Sequence, residues 1–304
     1  MISGVQQHYK PRVLVVGCGD VGMRLLPLLR KQFRIFAMTS QDQRHAELRA
    51  AGAIPITANL DEPQSLARFA GLARTVVHLA PPKSEGESDQ RMRNLLAVLP
   101  SHCRLVYVST TGVYGDCAGA LFDETRPVKP NNPRAKRRVV AEKLLRNWAV
   151  RTHSCVSILR VPGIYAANRL PIDRLKKSTP ALHAAEDVFT NHIHAEDLAT
   201  IIRLAIFRGA PNRLYHAVDD SNMKMADYFD TVADAFGLAR PPRLSRSELV
   251  SEVSPMLLSF MSESRRLDNT RLKAELGVRL RFSTVHEGIQ AALNIKTYAS
   301  YTST

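Results

Sequence analysis

The stretch VLVVGCGDVG, Val13 to Gly22, decides how this chain folds. Val13, Leu14, Val15 and Val16 read as a short buried strand, and Val21, Leu25, Leu28 and Leu29 repeat at helical intervals just beyond it. Between them Gly17, Gly19 and Gly22 stand in the G-x-G-x-x-G spacing. Each glycine has a separate task. Gly17 permits the tight turn, Gly19 lets backbone approach a pyrophosphate, and Gly22 lets the helix pack closely on the strand. The helix N-terminus then faces the phosphates with its free N–H groups. Strand, turn and helix in this order predict a dinucleotide site.

Working outward, further apolar runs follow at α/β spacing: FRIFAM from Phe33, AIPIT from Ala53, TVVHLA from Thr75, RLVYVS from Arg104 and CVSILR from Cys155. Helical patterns lie between them, so the strands must be joined by crossovers and lie parallel. The expected fold is α/β, a Rossmann-type doubly wound parallel sheet with a smaller C-terminal substrate lobe. The sheet domain is expected over 12–167 and 191–221, and the lobe over 168–190 and 222–304. The second strand ends in AMTSQDQR, where an acid would hold the adenosine ribose in an NAD site. Thr39 and Ser40 stand there instead, and Arg44 is close enough to meet a 2′-phosphate, so NADP is favoured over NAD.

Composition narrows the class. The chain has 304 residues, 45% of them hydrophobic, enough for a real core. No apolar run reaches the ~20 residues a membrane span needs, and the first residues lack a signal-peptide centre, so a cytoplasmic protein is expected. Cys18, Cys103, Cys117 and Cys155 show no metal-ligand spacing, and no metal is expected. A net charge of +14 admits nucleic acid as a partner, but the basic residues are spread along the chain without an aromatic RNA-binding signature.

Several motifs in order resemble the extended short-chain dehydrogenase/reductase superfamily, the NAD-dependent epimerase/dehydratase group. They are STTGVYG from Ser109, DETRPVKPNNP from Asp123, LRVPGIYAANR from Leu159, NHIHAEDLA from Asn191 and the tail LDNTRLKAELG from Leu267. The resemblance implies that Gly17, Gly19, Asp20, Val21 and Gly22 hold the pyrophosphate, that Asn59 and Leu60 border adenine, and that Leu79 and Ala80 lie under the cofactor. It places the backbone around Pro162 beside the nicotinamide carboxamide, and Thr110 at the Ser/Thr that bonds the substrate oxygen. One departure is in the turn itself, where the extended group's GxxGxxG would need glycine at Val16.

The larger departure is RAKRRVVAE, Arg134 to Glu142. The family's catalytic helix carries YxxxK with a Glu four residues later. Aligning that Glu with Glu142 puts Arg138 at the Lys position and Arg134 at the Tyr position. Arginine stays protonated, so Arg134 cannot shuttle the proton that Tyr would. As i and i+4 on a helix the two share a face and mildly repel, a penalty that an anion would remove. Arg138 can bond the nicotinamide ribose, and Arg134 can grip a carboxylate or phosphate. Catalytic candidates are thus Thr110, Arg134 and Arg138. Tyr114 and Tyr165 are substitute proton donors, while His192 and His194 read as structural.

Two functions remain open at this level. One is an NAD(P)-binding oxidoreductase or epimerase acting on a small or sugar-like, anionic carbonyl or hydroxyl compound, with the catalytic helix available as a homodimer face. The other is a non-catalytic dinucleotide-binding regulator or RNA-associated protein, for which RAKRR would be a surface patch.

Overall fold

The computed structural model describes residues 9–301. Its first half alternates as the apolar pattern requires: β1 (Arg12–Val16), α1 (Asp20–Leu29), β2 (Arg34–Thr39), α2 (His45–Ala50), β3 (Ile54–Thr57), β4 (Thr75–His78), α3 (Gln90–Val98) and β5 (Arg104–Thr110). A short β6 (Leu121–Phe122) leads to the long α4 (Pro133–Arg151) and β7 (Cys155–Val161). Then come β8 (Gly163–Tyr165), α5 (Ile172–Lys176), β9 (Ala181–Leu182), β10 (Phe189–Thr190), β11 (His192–His194), α6 (Ala195–Arg208) and β12 (Arg213–His216). The last part adds β13 (Met223–Lys224), α7 (Met225–Ala235), β14 (Arg243–Leu244), α8 (Arg246–Glu252), α9 (Pro255–Phe260), β15 (Arg266–Leu267), α10 (Thr270–Leu276) and α11 (Val285–Tyr301).

Seven strands pair in the order β12-β7-β5-β4-β1-β2-β3, and every neighbouring pair is parallel. This is the Rossmann-type α/β sheet. The strand order reverses between β1 and β4, which opens a crevice beyond their C-terminal ends. A parallel sheet must be covered on both faces. One face packs against α1, α2, α6 and α10 through Leu25, Leu48, Ile202 and Leu276; the other packs against α3 and α4 through Leu95, Leu145 and Trp148.

A separate apolar cluster joins Tyr165, Leu175, Tyr228, Phe229, Val232, Val285 and Ile289, from β8, α5, α7 and α11. Leu272, Leu276 and Val278 fall in the 222–304 segment expected to build the lobe, yet they pack in the sheet's own core. The tail therefore crosses back over the sheet before ending in α11.

One helix buries another face than the pattern predicts, and a second buries charged residues. In α1 Leu26 is buried and Leu28 is 37% exposed. In α4, Val139, Val140 and Leu144 are only partly buried, while Ala135, Arg137, Ala141, Glu142, Leu145 and Trp148 are buried. That stripe holds an arginine and a glutamate because both find fixed partners, so hydrophobicity alone misplaces it. Asn132 starts α4 by accepting the Ala135 N–H at 2.9 Å, with Pro133 as first residue.

Candidate active site

The glycine turn has the shape its residues allow. Gly17 sits at φ +81°, and a Cβ there would stand 2.5 Å from the Ala80 nitrogen. Ala80 thus lies directly under the turn. A Cβ on Gly22 would meet Cys18 Sγ at 2.9 Å and Leu79 Cδ1 at 3.4 Å, which is the close helix–strand packing the third glycine provides. Nothing lies within 4 Å of a Cβ on Gly19, so that side of the backbone is open. The first-turn N–H groups of α1, those of Asp20, Val21 and Gly22 among them, project from the helix beside this opening. A dinucleotide pyrophosphate fits such a turn. The Asp20 carboxylate is directed away to Arg24 at 3.2 Å and Arg169 at 3.4 Å. These partners hold it below the usual carboxylate range against the opposing effect of burial.

At the end of β2, Thr39 and Ser40 stand before the first acid, Asp42. Thr39 is buried and its hydroxyl accepts the Gln41 N–H at 3.1 Å, while Ser40 is exposed. Arg44 reaches back to donate to the Cys18 carbonyl within the glycine turn, and pairs with Glu47 at 3.0 Å. Asp42 accepts the Thr57 hydroxyl proton. Asn59 shapes its own loop, accepting the Asp61 N–H at 3.0 Å and donating to Glu62 at 2.9 Å. Leu60 is buried, and its carbonyl accepts from Asn94 at 2.8 Å.

A cleft of about 600 Å³ opens at the ends of β4, β5 and β7, and it is walled on the far side by α5, α7 and α9. Leu79, Thr110, Arg134, Arg138 and Pro162 all line it. The turn residues, Thr39, Ser40, Arg44, Asn59, Leu60 and Ala80 do not. The Thr110 oxygen accepts the Gly112 N–H at 3.2 Å, which caps the short turn after β5 and leaves the hydroxyl proton to donate elsewhere. Arg138 Nη1 donates to the Tyr107 hydroxyl at 2.8 Å and the Val108 carbonyl at 3.1 Å. Arg134 lies over the Phe260 ring at 4.5 Å, and burial lowers its pKa against the pull of Glu263.

The four basic residues of RAKRR therefore do not form one patch. Arg134 and Arg138 face the cleft, Lys136 is exposed, and Arg137 is buried and donates to the Gly86 carbonyl at 2.7 Å. Glu142, the residue that set the alignment, is buried with Arg160 in a two-pronged ion pair of 3.1 and 2.6 Å, and it accepts the Ser109 hydroxyl at 2.6 Å.

The substitute tyrosines are committed elsewhere. Tyr165 donates to the Thr284 carbonyl at 3.2 Å, and burial pushes its pKa up. Tyr114 is buried 2.6 Å from His216 Nε2. The other His216 nitrogen, Nδ1, lies 3.0 Å from the Asp268 carbonyl, which can only accept. Nδ1 thus carries the proton, and Tyr114 donates to Nε2. His194 acts as expected, accepting the Glu196 N–H at 3.3 Å to cap α6. His192 differs: it is 5% exposed, lines the cleft against Tyr228, and its buried Nδ1 has no partner among the described residues. Burial holds it neutral, with a pKa of about 3. Sequence reading also missed Arg174 and Phe260 as cleft walls, because nothing local to either signals the cleft.

A family model covering residues 13–217 matches the chain. The chain belongs to the NAD-dependent epimerase/dehydratase family. A mouse dTDP-D-glucose 4,6-dehydratase is 26% identical over 121 residues, which are 37% of this chain and 34% of that protein. The match thus spans about a third of the relative's length. Among solved structures, a functionally unknown conserved protein from Silicibacter pomeroyi is 28% identical at a TM-score of 0.80, covering 94% of this chain and 99% of its own. UDP-glucose 4-epimerase from Thermotoga maritima, solved with UDP-glucose, shares the fold at a TM-score of 0.77 and 15% identity, over 95% of this chain and 99% of its own. Among the described residues, no helix is long and apolar enough to cross a membrane.

Proposed function

We propose that this chain binds NADP(H) and acts on a small or sugar-like, anionic hydroxyl or carbonyl compound, without the Tyr–Lys pair typical of its relatives. The observation that carries this reading is the cleft at the strand ends, in which Thr110, Arg134 and Arg138 stand together beside Leu79 and Pro162. When bound, the dinucleotide supplies the hydride acceptor or donor. The chain's own groups do the rest. Thr110 directs its free hydroxyl proton to the substrate oxygen, Arg138 offers its remaining N–H groups to the ribose, and Arg134 holds an acidic group of the substrate. The sugar-nucleotide relatives favour an epimerase or dehydratase reaction type. NADP is preferred because Arg44 borders the turn and the one acid nearby after β2, Asp42, is spent on Thr57.

Fluorescence titration with NADPH and NADH tests this. NADPH should bind more tightly, Arg44→Ala should remove the difference, and both Gly19→Asp and Arg138→Ala should weaken binding. Unchanged affinity in both of the last two variants refutes the reading.

A further inference from the structure

Arginine dominates the charge of the cleft. Arg134, Arg138, Arg169, Arg174 and Arg265 line it, against the single carboxylate of Glu263. Two of the five are balanced: Arg169 lies 3.4 Å from Asp20, and Arg265 lies 2.7 Å from Glu263. The other three have no acid at ion-pair distance among the described residues. Arg138 bonds only neutral oxygens, and Glu263 attracts Arg134 from beyond contact range.

Arg174 is the most exacting of the three. Its guanidinium lies 3.9 Å from the Phe229 ring centre, Nη2 donates to the Pro180 carbonyl at 2.9 Å, and the buried Nε has no partner among the described residues. Burial without a compensating acid pushes its pKa down to about 10. A cation withdrawn from water in this way is destabilising until an anion arrives.

Position then limits what the anion can be. Arg134 and Arg138 share one face of α4 at the reacting end, beside Thr110. Arg174 comes from α5 and lies over the Phe229 ring of α7. A neutral sugar ring at the reacting end would leave Arg134 unbalanced, and a single acidic group there would leave Arg174 unbalanced. The neutral ring of His192 also lines the cleft, so part of it suits an uncharged hydroxyl or carbonyl.

We infer that the substrate is a small hydroxy or keto acid with two acidic groups, one held by Arg134 and Arg138 beside the reacting carbon and the other by Arg174 across the cleft. This rests on the reading of the chain as a dinucleotide-dependent enzyme of hydroxyl or carbonyl compounds.

Isothermal titration calorimetry, run with and without saturating NADPH, tests it with malate, 3-phosphoglycerate, lactate and UDP-glucose. At least one of the two-acid probes should bind roughly tenfold more tightly than lactate, as a second charge-assisted pair implies. The better of the two distinguishes a second carboxylate from a phosphate. Arg174→Gln should bring that probe down to the affinity of lactate while NADPH affinity stays unchanged, which shows that the variant folds. Arg134→Gln should weaken lactate as well. Two-acid probes no tighter than lactate, an unaltered preference in Arg174→Gln, or tight UDP-glucose binding without two-acid binding overturns the inference. Failure to bind NADPH refutes the cofactor reading alone, because the titrations without it still decide this one.

Discussion

The glycine turn after β1 and the head of α4 both lie toward the C-terminal ends of the sheet strands, yet one is built on backbone and the other on side chains. The turn is shaped by backbone: a left-handed Gly17, an unobstructed Gly19 and a helix N-terminus. The head of α4 presents side chains, Arg134 and Arg138, to the cleft. Backbone packing fixes the turn, since a Cβ on Gly17 would clash with Ala80. Side-chain chemistry is replaceable while the helix stays anchored, and here the anchor is Glu142 on Arg160 and Ser109 rather than the cleft residues themselves.

That contrast breaks first at the anchor. Glu142→Ala leaves Arg160 buried without its counter-ion, and denaturant unfolding should show a loss of about 3–5 kcal/mol. If the loss is below ~1 kcal/mol, α4 is not held by this pair. Next comes the turn. Gly17→Ala combines a positive φ with a backbone clash, so stability should fall by about 3 kcal/mol and cofactor binding should fail with it. Wild-type melting behaviour in that variant would contradict the packing of Ala80 under the turn.

A pH-dependent effect comes from three buried histidines. His78, His192 and His216 are each held neutral by burial, with pKa values lowered from 6.5 to about 3. A depressed histidine contributes stability that is full above the unfolded pKa and is lost as pH falls toward the folded one. Each should cost up to ~1.4 kcal/mol per pH unit between 6.5 and 3. Asp219, raised by burial to about 7, acts oppositely, stabilising more as pH falls below 7, and offsets roughly one of them. Unfolding midpoints should therefore drop from pH 6.5 to pH 4.5, and a flat or rising profile would count against this accounting. The smallest effect belongs to Arg134→Tyr, which removes only the stacking on Phe260 and should change stability by less than ~1 kcal/mol. A larger loss would make Arg134 part of the anchor.

The legible part of the molecule was the part built on local pattern. Val13 to Gly22 predicted strand, turn and helix, and the apolar runs from Phe33, Thr75, Arg104 and Cys155 correspond to sheet strands. The spacing of Glu142 grouped Arg134 and Arg138 with Thr110, and the three line one cleft. What stayed hidden depends on contacts between distant segments. Arg174 lies in DRLKK and reads as a solvated charge until Phe229 is placed against it. Arg137 and Glu142 look like surface residues of a charged helix until Gly86 and Arg160 supply their partners. Tyr114 and Tyr165 lie near the site in sequence, but His216 and the start of α11 claim their hydroxyls.

The central claim is that the turn serves the dinucleotide while the head of α4 serves an acidic substrate. NADPH fluorescence titration of Gly19→Asp beside Arg134→Gln tests it most directly. The account predicts at least a tenfold loss of affinity in Gly19→Asp, where a carboxylate meets the pyrophosphate, and a change within about twofold in Arg134→Gln. Full NADPH affinity in Gly19→Asp, or its loss in Arg134→Gln, would contradict it.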